Sequence, residues 1–243
     1  MNIDAGKAAL VFGGSRGIGA AIVERLVREG YAVAFTYISS EAAAHEIEEK
    51  VIARGGRAKA IKADSGKADD IRAAVSTAVE SFGKLDAVVV NAGIFRIATI
   101  DAVTEADLDE MLRINVRGVY LSIQAAAGQM NDGGRIVTIG SNVAIRTGFP
   151  VASVYQMTKA AVAAMVKGIA LDLAPRCITV NNVQPGPTDT DINAGGIETL
   201  STMSPLKRVA QPEEIAGLVA YVVADEAGYM TGASLTIDGG FTL

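Results

Sequence analysis

A chain of 243 residues, half of them hydrophobic, can bury a large core and fits one domain spanning 1–243 better than two small ones. A formal net charge of −5 without any long basic run argues against nucleic acid as the main partner, since neutralising phosphate takes clustered Lys and Arg. No apolar run approaches the roughly 18 to 20 residues of a membrane helix, and "MNIDAGKAAL" lacks the layout of a signal peptide, so the expectation is a soluble, cytoplasmic protein with no membrane partner.

Short β-branched runs recur along the chain as "AALVF", "AVAFTY", "AKAIKAD", "LDAVVVN", "GRIVTIG", "ITVNNVQ" and "SLTID", each bounded by Gly, Asp, Asn or Pro. Between them lie helical patterns, such as Ile18, Ile22 and Leu26 on one face with Glu24, Arg25 and Arg28 elsewhere. Strands alternating with helices imply right-handed crossovers. The expected fold is α/β, a doubly wound parallel sheet of about seven strands with helices on both faces.

The first strand runs into "GGSRGIG", with glycines spaced G-x-x-x-G-x-G at Gly13, Gly17 and Gly19. Such a turn offers free backbone N–H groups and a positive helix end to a phosphate, and its glycines remove side chains that would block the ligand. The second strand ends in Tyr37, Ile38, Ser39 and Ser40, with no carboxylate to bond a ribose 2′-hydroxyl. Arg16 projecting toward that end would read a 2′-phosphate, which favours NADP(H) over NAD(H); a surface salt bridge is the alternative for this residue. His45 falls in a polar helix and reads as solvated surface.

Farther along, Leu108, Leu112 and Val119 are expected to share a helical face with Asn115 among them, after a capping pattern from Thr104 to Asp107. Ser141 follows an apolar strand, at the carboxyl end where ligands of such sheets bind. Tyr155 and Lys159 are four apart in a helix and share a face. An ammonium about 6 Å from a phenol, at an effective dielectric near 20, favours phenolate by roughly 3 kcal/mol, which would bring Tyr155 about two units down from its ordinary value near 10. Cys177, the single cysteine, sits in an apolar stretch and reads as packing; with one histidine in the chain there is no disulfide and no zinc site, so no metal is expected. The segment near 188–211 breaks any periodicity at Gly195, Gly196 and Pro205 and reads as a substrate loop or lid.

Taken together, "GGSRGIG" at 13–19, "NAG" at 91–93, Asn115, Ser141, "YQMTK" at 155–159 and "PGPTDT" at 185–190 resemble the short-chain dehydrogenase/reductase family in order and approximate spacing, and the resemblance runs through the C-terminal "TGASLTIDGG". It implies a Rossmann-like fold and a 3-oxoacyl reductase-like oxidoreductase that interconverts a ketone and a secondary alcohol. Asn115, Ser141, Tyr155 and Lys159 would be the catalytic residues, with Asn115 holding a water that links Lys159 to solvent. Gly13, Ser15, Arg16, Ile18, Gly19, Tyr37, Ser39 and Ser40 would bind the cofactor. Asp64 and Ser65 would flank the adenine, Asn91, Ala92 and Gly93 the adjoining ribose, and Pro185, Gly186, Thr188 and Thr190 the nicotinamide, beside Tyr155 and Lys159.

The expected substrate, a small carbonyl compound or alcohol, would meet Ser141, Tyr155, Ile94, Phe95, Arg96, Asn142, Val143, Ile145 and Phe149. Arg96 and Arg146 would either attract an anionic group or be solvated. The alanine-rich helix after Tyr155 permits close approach of another helix, and the resemblance implies a homotetramer. The chain is also similar to a bacterial subgroup associated with biofilm dispersal and cyclic di-GMP binding, so a non-catalytic nucleotide-binding regulator is the rival function. Two departures stand out. Ser141 precedes Tyr155 by fourteen residues, about one more than the family pattern, leaving Asn142 and Ser153 as weaker candidates for its role, and Phe12 replaces the usual Thr before the glycines.

Overall fold

The computed structural model describes residues 6–243. Seven strands form one parallel sheet in the order β3-β2-β1-β4-β5-β6-β7, each matching an apolar run of the sequence. They are β1 (Ala8–Phe12), β2 (Ala32–Tyr37), β3 (Ala58–Lys62), β4 (Leu85–Val90), β5 (Met130–Ile139), β6 (Thr179–Pro185) and β7 (Ser234–Ile237).

Alternation along β1 shows why its run is apolar throughout. Ala9 and Val11 enter one core, packed against α1 (Gly17–Arg28), α2 (Glu41–Ala53) and, later in the chain, the helix Pro212–Val223. Ala8, Leu10 and Phe12 enter the other, under α3 (Ala68–Phe82) and the helices Val119–Ala127 and Ser153–Leu173. Both faces are covered, so neither needs polar residues. The order reverses between β1 and β4, which opens a crevice at their carboxyl ends.

Three expectations change. After α4 (Glu105–Leu112) the backbone makes a π turn over Arg113–Gly118 before α5 (Val119–Ala127) begins. A wider turn delays the helical phase, so Met111, Ile114, Asn115 and Val119 point inward together while Leu108 and Leu112 stay half-buried. Cys177 is exposed, at φ 54° in the turn that ends a short 3-10 helix, and is not a packing residue. The segment after Thr188 contains α7 (Ile197–Met203) and is tied at its base, where Asp189 N donates to Ala210 O at 2.8 Å and Ala210 N to Pro187 O at 2.9 Å. It leads into α8 (Pro212–Val223).

Candidate active site

A cavity of about 280 Å³ opens over the carboxyl ends of β1, β2 and β4. Its floor is the glycine turn. Gly13 has φ +76° and a Cβ there would stand 2.9 Å from Ala92 Cα; a Cβ on Gly19 would stand 1.9 Å from Gly13 O. Gly19 therefore supports the turn from beneath, while Gly13, Ser15, Arg16 and Ile18 line the cavity itself. The hydroxyl missing at Phe12 is supplied by the next strand: Gly13 N donates to Thr36 Oγ1 at 2.9 Å, and Gly14 N to Thr36 O at 2.9 Å. Phe12 is fully buried in the second core, a use its aromatic ring allows and a hydroxyl would not.

No side chain caps α1, whereas α8 carries a complete capping box between Gln211 and Glu214. An uncapped helix start beside a glycine turn presents its N–H groups and positive end to an anion. Tyr37, Ser39, Ser40, Ser65, Asn91, Ala92, Gly93 and Thr190 also line it, and Arg16 stands on the same rim. The Arg16 side chain is 67% exposed and its guanidinium lies 3.9 Å from Asp191, a loose pair that leaves it available to a ligand. Asp64 lies outside the lining. Its carboxylate accepts from Gly66 N at 2.8 Å and shapes the turn after β3.

A second cavity of about 190 Å³ adjoins the first and shares Ile18, Asn91, Gly93, Ile94, Thr190 and Ile192 with it. Ser141, Tyr155, Lys159, Pro185, Gly186 and Thr188 line it. Ser141 starts a short 3-10 turn, Asn142–Ala144, and its hydroxyl accepts from Val143 N at 3.3 Å. Tyr155 and Lys159 come from the first turns of α6 (Ser153–Leu173). Lys159 Nζ donates to Ile139 O at 2.9 Å and lies 5.7 Å from the centre of the Tyr155 ring. Of the candidates for the substrate-orienting role, Ser153 is exposed and outside the lining, whereas Ser141 and Asn142 both line it.

The electrostatics differ from the sequence-based expectation. Burial pushes the Tyr155 phenol up to about 12, with the Ser141 hydroxyl pulling the other way, and burial pushes Lys159 down to about 8. The ammonium bonds a carbonyl and lies over the Tyr155 ring, and desolvation is the largest influence on both groups. At neutral pH the tyrosine is a phenol, the proton-donor form.

Asn115 is 1% exposed inside the π turn. Its Oδ1 accepts from Ile94 N at 2.8 Å and its Nδ2 donates to Ile94 O at 2.8 Å, with Thr158 Oγ1 a further acceptor at 3.3 Å. Its amide thus fixes the segment around Ile94 that walls both cavities.

Among the expected substrate contacts, Ile94, Phe95, Asn142, Val143 and Phe149 line the second cavity, and Phe95 meets the Tyr155 ring edge-on at 4.8 Å and 82°. Ile145 does not line it, and Arg96 is occupied by Glu110 and Asp107. Arg146 does line it, donating to Leu243 O. The loop before α6 contains Val151 at φ 71°, a left-handed conformation that strains a β-branched residue. Leu200 and Phe241 belong to the lining and were absent from the sequence-based set. The one local signal for Phe241 was the preceding glycine pair, which announces a tight turn.

No helix among the described residues is long and apolar enough to cross a membrane. Residues 13–242 match a family model described as enoyl-(acyl carrier protein) reductase. The chain is 43% identical over 244 residues to the cyclic-di-GMP-binding biofilm dispersal mediator protein of Escherichia coli K12, covering 99% of each. A short-chain dehydrogenase/reductase from Serratia marcescens BCRC 10948 superposes with a TM-score of 0.95 at 52% identity, covering 98% of each chain. A short-chain dehydrogenase from Burkholderia cenocepacia J2315, in complex with NADP, does so at 0.95 and 44% identity over 98% of each.

Proposed function

Starting from a chain that belongs to the short-chain dehydrogenase/reductase family, we propose that it is an NADP(H)-dependent oxidoreductase interconverting a ketone or 3-oxoacyl group and a secondary alcohol. The observation that carries this reading is the junction of the two cavities: one is shaped for a dinucleotide, and Ser141, Tyr155 and Lys159 meet in the other.

The residues present fit the cofactor. The uncapped start of α1 and the glycine turn suit its pyrophosphate, and the absence of a carboxylate at the end of β2, with Arg16 on the rim, suits a 2′-phosphate. Ser65 and Asn91 to Gly93 would take the adenosine side, and Pro185, Gly186, Thr188 and Thr190 the nicotinamide side. When bound, NADPH supplies the hydride.

The chain's own residues then govern the proton. Ser141 would orient the substrate carbonyl oxygen by hydrogen bonding, and Tyr155, a phenol at neutral pH, would donate its proton to that oxygen. In the alcohol direction Tyr155 would take the proton back. Lys159, whose pKa near 8 lies far below that of Tyr155, would favour return of a proton to the Tyr155 phenolate left after donation. Asn115 would place the water that connects Lys159 to solvent, against the Ile94 wall it fixes. The segment near 188–211 would serve as the lid of this single domain. Leu112, Val116, Tyr120, Leu121 and Met165 form an outward apolar groove that we assign to subunit pairing in a homotetramer, to be checked by light scattering.

The experiment follows NADPH absorbance against a panel of ketones, with Tyr155→Phe as control. Turnover abolished by the substitution supports the reading. The rival, a non-catalytic cyclic di-GMP binder, rests on the Escherichia coli relative's name. Absence of turnover across the panel, together with tight binding of cyclic di-GMP by calorimetry, would establish the rival instead.

A further inference from the structure

The chain has six phenylalanines. Phe12 and Phe35 fill the cores and Phe82 lies under the Arg57 guanidinium. The other three, Phe95, Phe149 and Phe241, all line the second cavity, from segments far apart in sequence. Concentrating half of the aromatic rings of one type around a reaction site demands an account.

Phe241 arrives there through a compact turn after β7. Gly239 and Gly240 take φ +64° and +83°, which reverse the chain in a region that favours glycine. Asp238 holds the reversal: its carboxylate accepts from Gly240 N at 3.0 Å and Thr242 N at 2.9 Å, and it also faces Asn142 Nδ2 at 3.4 Å. Gly186 leaves room for Asp238, since a Cβ at 186 would stand 2.6 Å from Asp238 Cβ. Arg146 clasps the same segment through Leu243 O. One carboxylate thus ties the segment bearing Phe241 to Asn142, the neighbour of Ser141.

We propose that Phe241 contacts the substrate and sets its specificity, that Asp238 is its positioning residue, and that the walls formed by Phe95, Phe149 and Phe241 select ketones bearing a flat aromatic ring. The inference rests on the carbonyl-reduction reading and names the substrate class of that site. Aromatic rings favour offset or edge-on partners over saturated rings of the same size.

Acetophenone and cyclohexyl methyl ketone carry six-membered rings of similar size, and the conjugation of the acetophenone carbonyl cancels when native and variant preferences are compared. The full-length protein with NADPH is expected to favour acetophenone in kcat/KM by about tenfold, and Phe241→Leu, which keeps bulk but removes the ring, to reduce that preference about threefold or more. NADPH affinity and melting temperature report that the fold is intact. Asp238→Asn is expected to raise KM for acetophenone with kcat retained, and to have no further effect on the preference in a Phe241→Leu background, where a merely structural role would still add. An unchanged preference in Phe241→Leu overturns the proposal. Should neither ketone turn over, calorimetry of acetophenone against the NADP⁺-loaded protein decides separately. Binding that weakens in Phe241→Leu upholds the aromatic wall while the reduction reading falls; binding that is absent or indifferent to the substitution overturns the wall as well.

Discussion

Over β1, β2 and β4 the cavity is shaped mainly by what is missing, with Gly13 and Gly19 leaving backbone close to backbone, whereas over β5 and β6 it is walled by side chains from separated segments. The first half presents N–H groups that any sequence with glycines at those places would present. The second depends on which side chains happen to meet. The difference predicts that substitutions in one half leave the other working, and that the nucleotide half tolerates almost no added atom.

The largest effect tests that separation directly. Tyr155→Phe is expected to lower kcat for ketone reduction by about a thousandfold, in the range of lost acid catalysis, with NADPH affinity by fluorescence titration within about twofold. A comparable loss of cofactor affinity would show the halves to be coupled.

Next comes the cost of the buried ammonium. Folding holds Lys159 near 8 against an ordinary value of 10.5, so below pH 8 the folded state bears the whole penalty, about 3 kcal/mol. As pH rises from 8 toward 10 the folded lysine loses its proton while the unfolded chain keeps it, and stability should rise. The raised Tyr155 acts in the opposite sense only above pH 10, where the unfolded phenol ionises and the folded one does not. Lys159→Met should therefore be more stable at neutral pH and lose most of this pH slope, read from denaturant midpoints at several pH values, while its reductase activity disappears.

Gly19→Ala sharpens the claim about the nucleotide half. With Gly13 O 1.9 Å from the new methyl position, the turn or the helix start must move, at about 1–3 kcal/mol. A weakening of NADPH binding by about tenfold to a hundredfold is expected, measured by titration beside a melting curve. The smallest effect is on selectivity. The native protein should bind NADPH at least about tenfold more tightly than NADH, and Arg16→Ala should narrow that gap with stability unchanged, because its pair with Asp191 is exposed and loose. Equal affinities in the native protein would remove Arg16 as the reader of a 2′-phosphate.

The sequence by itself determined the seven strands, the glycine turn and the shared face of Tyr155 and Lys159, because each rests on spacing within a few residues. Ser141 at a strand end was legible for the same reason. The π turn was not, since nothing in "RINVRG" marks a widened turn, and from within it Asn115 bonds both the N–H and the carbonyl of Ile94. Tertiary structure also decided that Thr36 supplies the hydroxyl absent at Phe12, and that Asp238 carries Phe241 to a cavity begun by Phe95. It reversed the direction of the Tyr155 shift as well. These outcomes share one cause: desolvation and contacts across many residues belong to the surroundings a group acquires on folding, and local spacing carries no record of them.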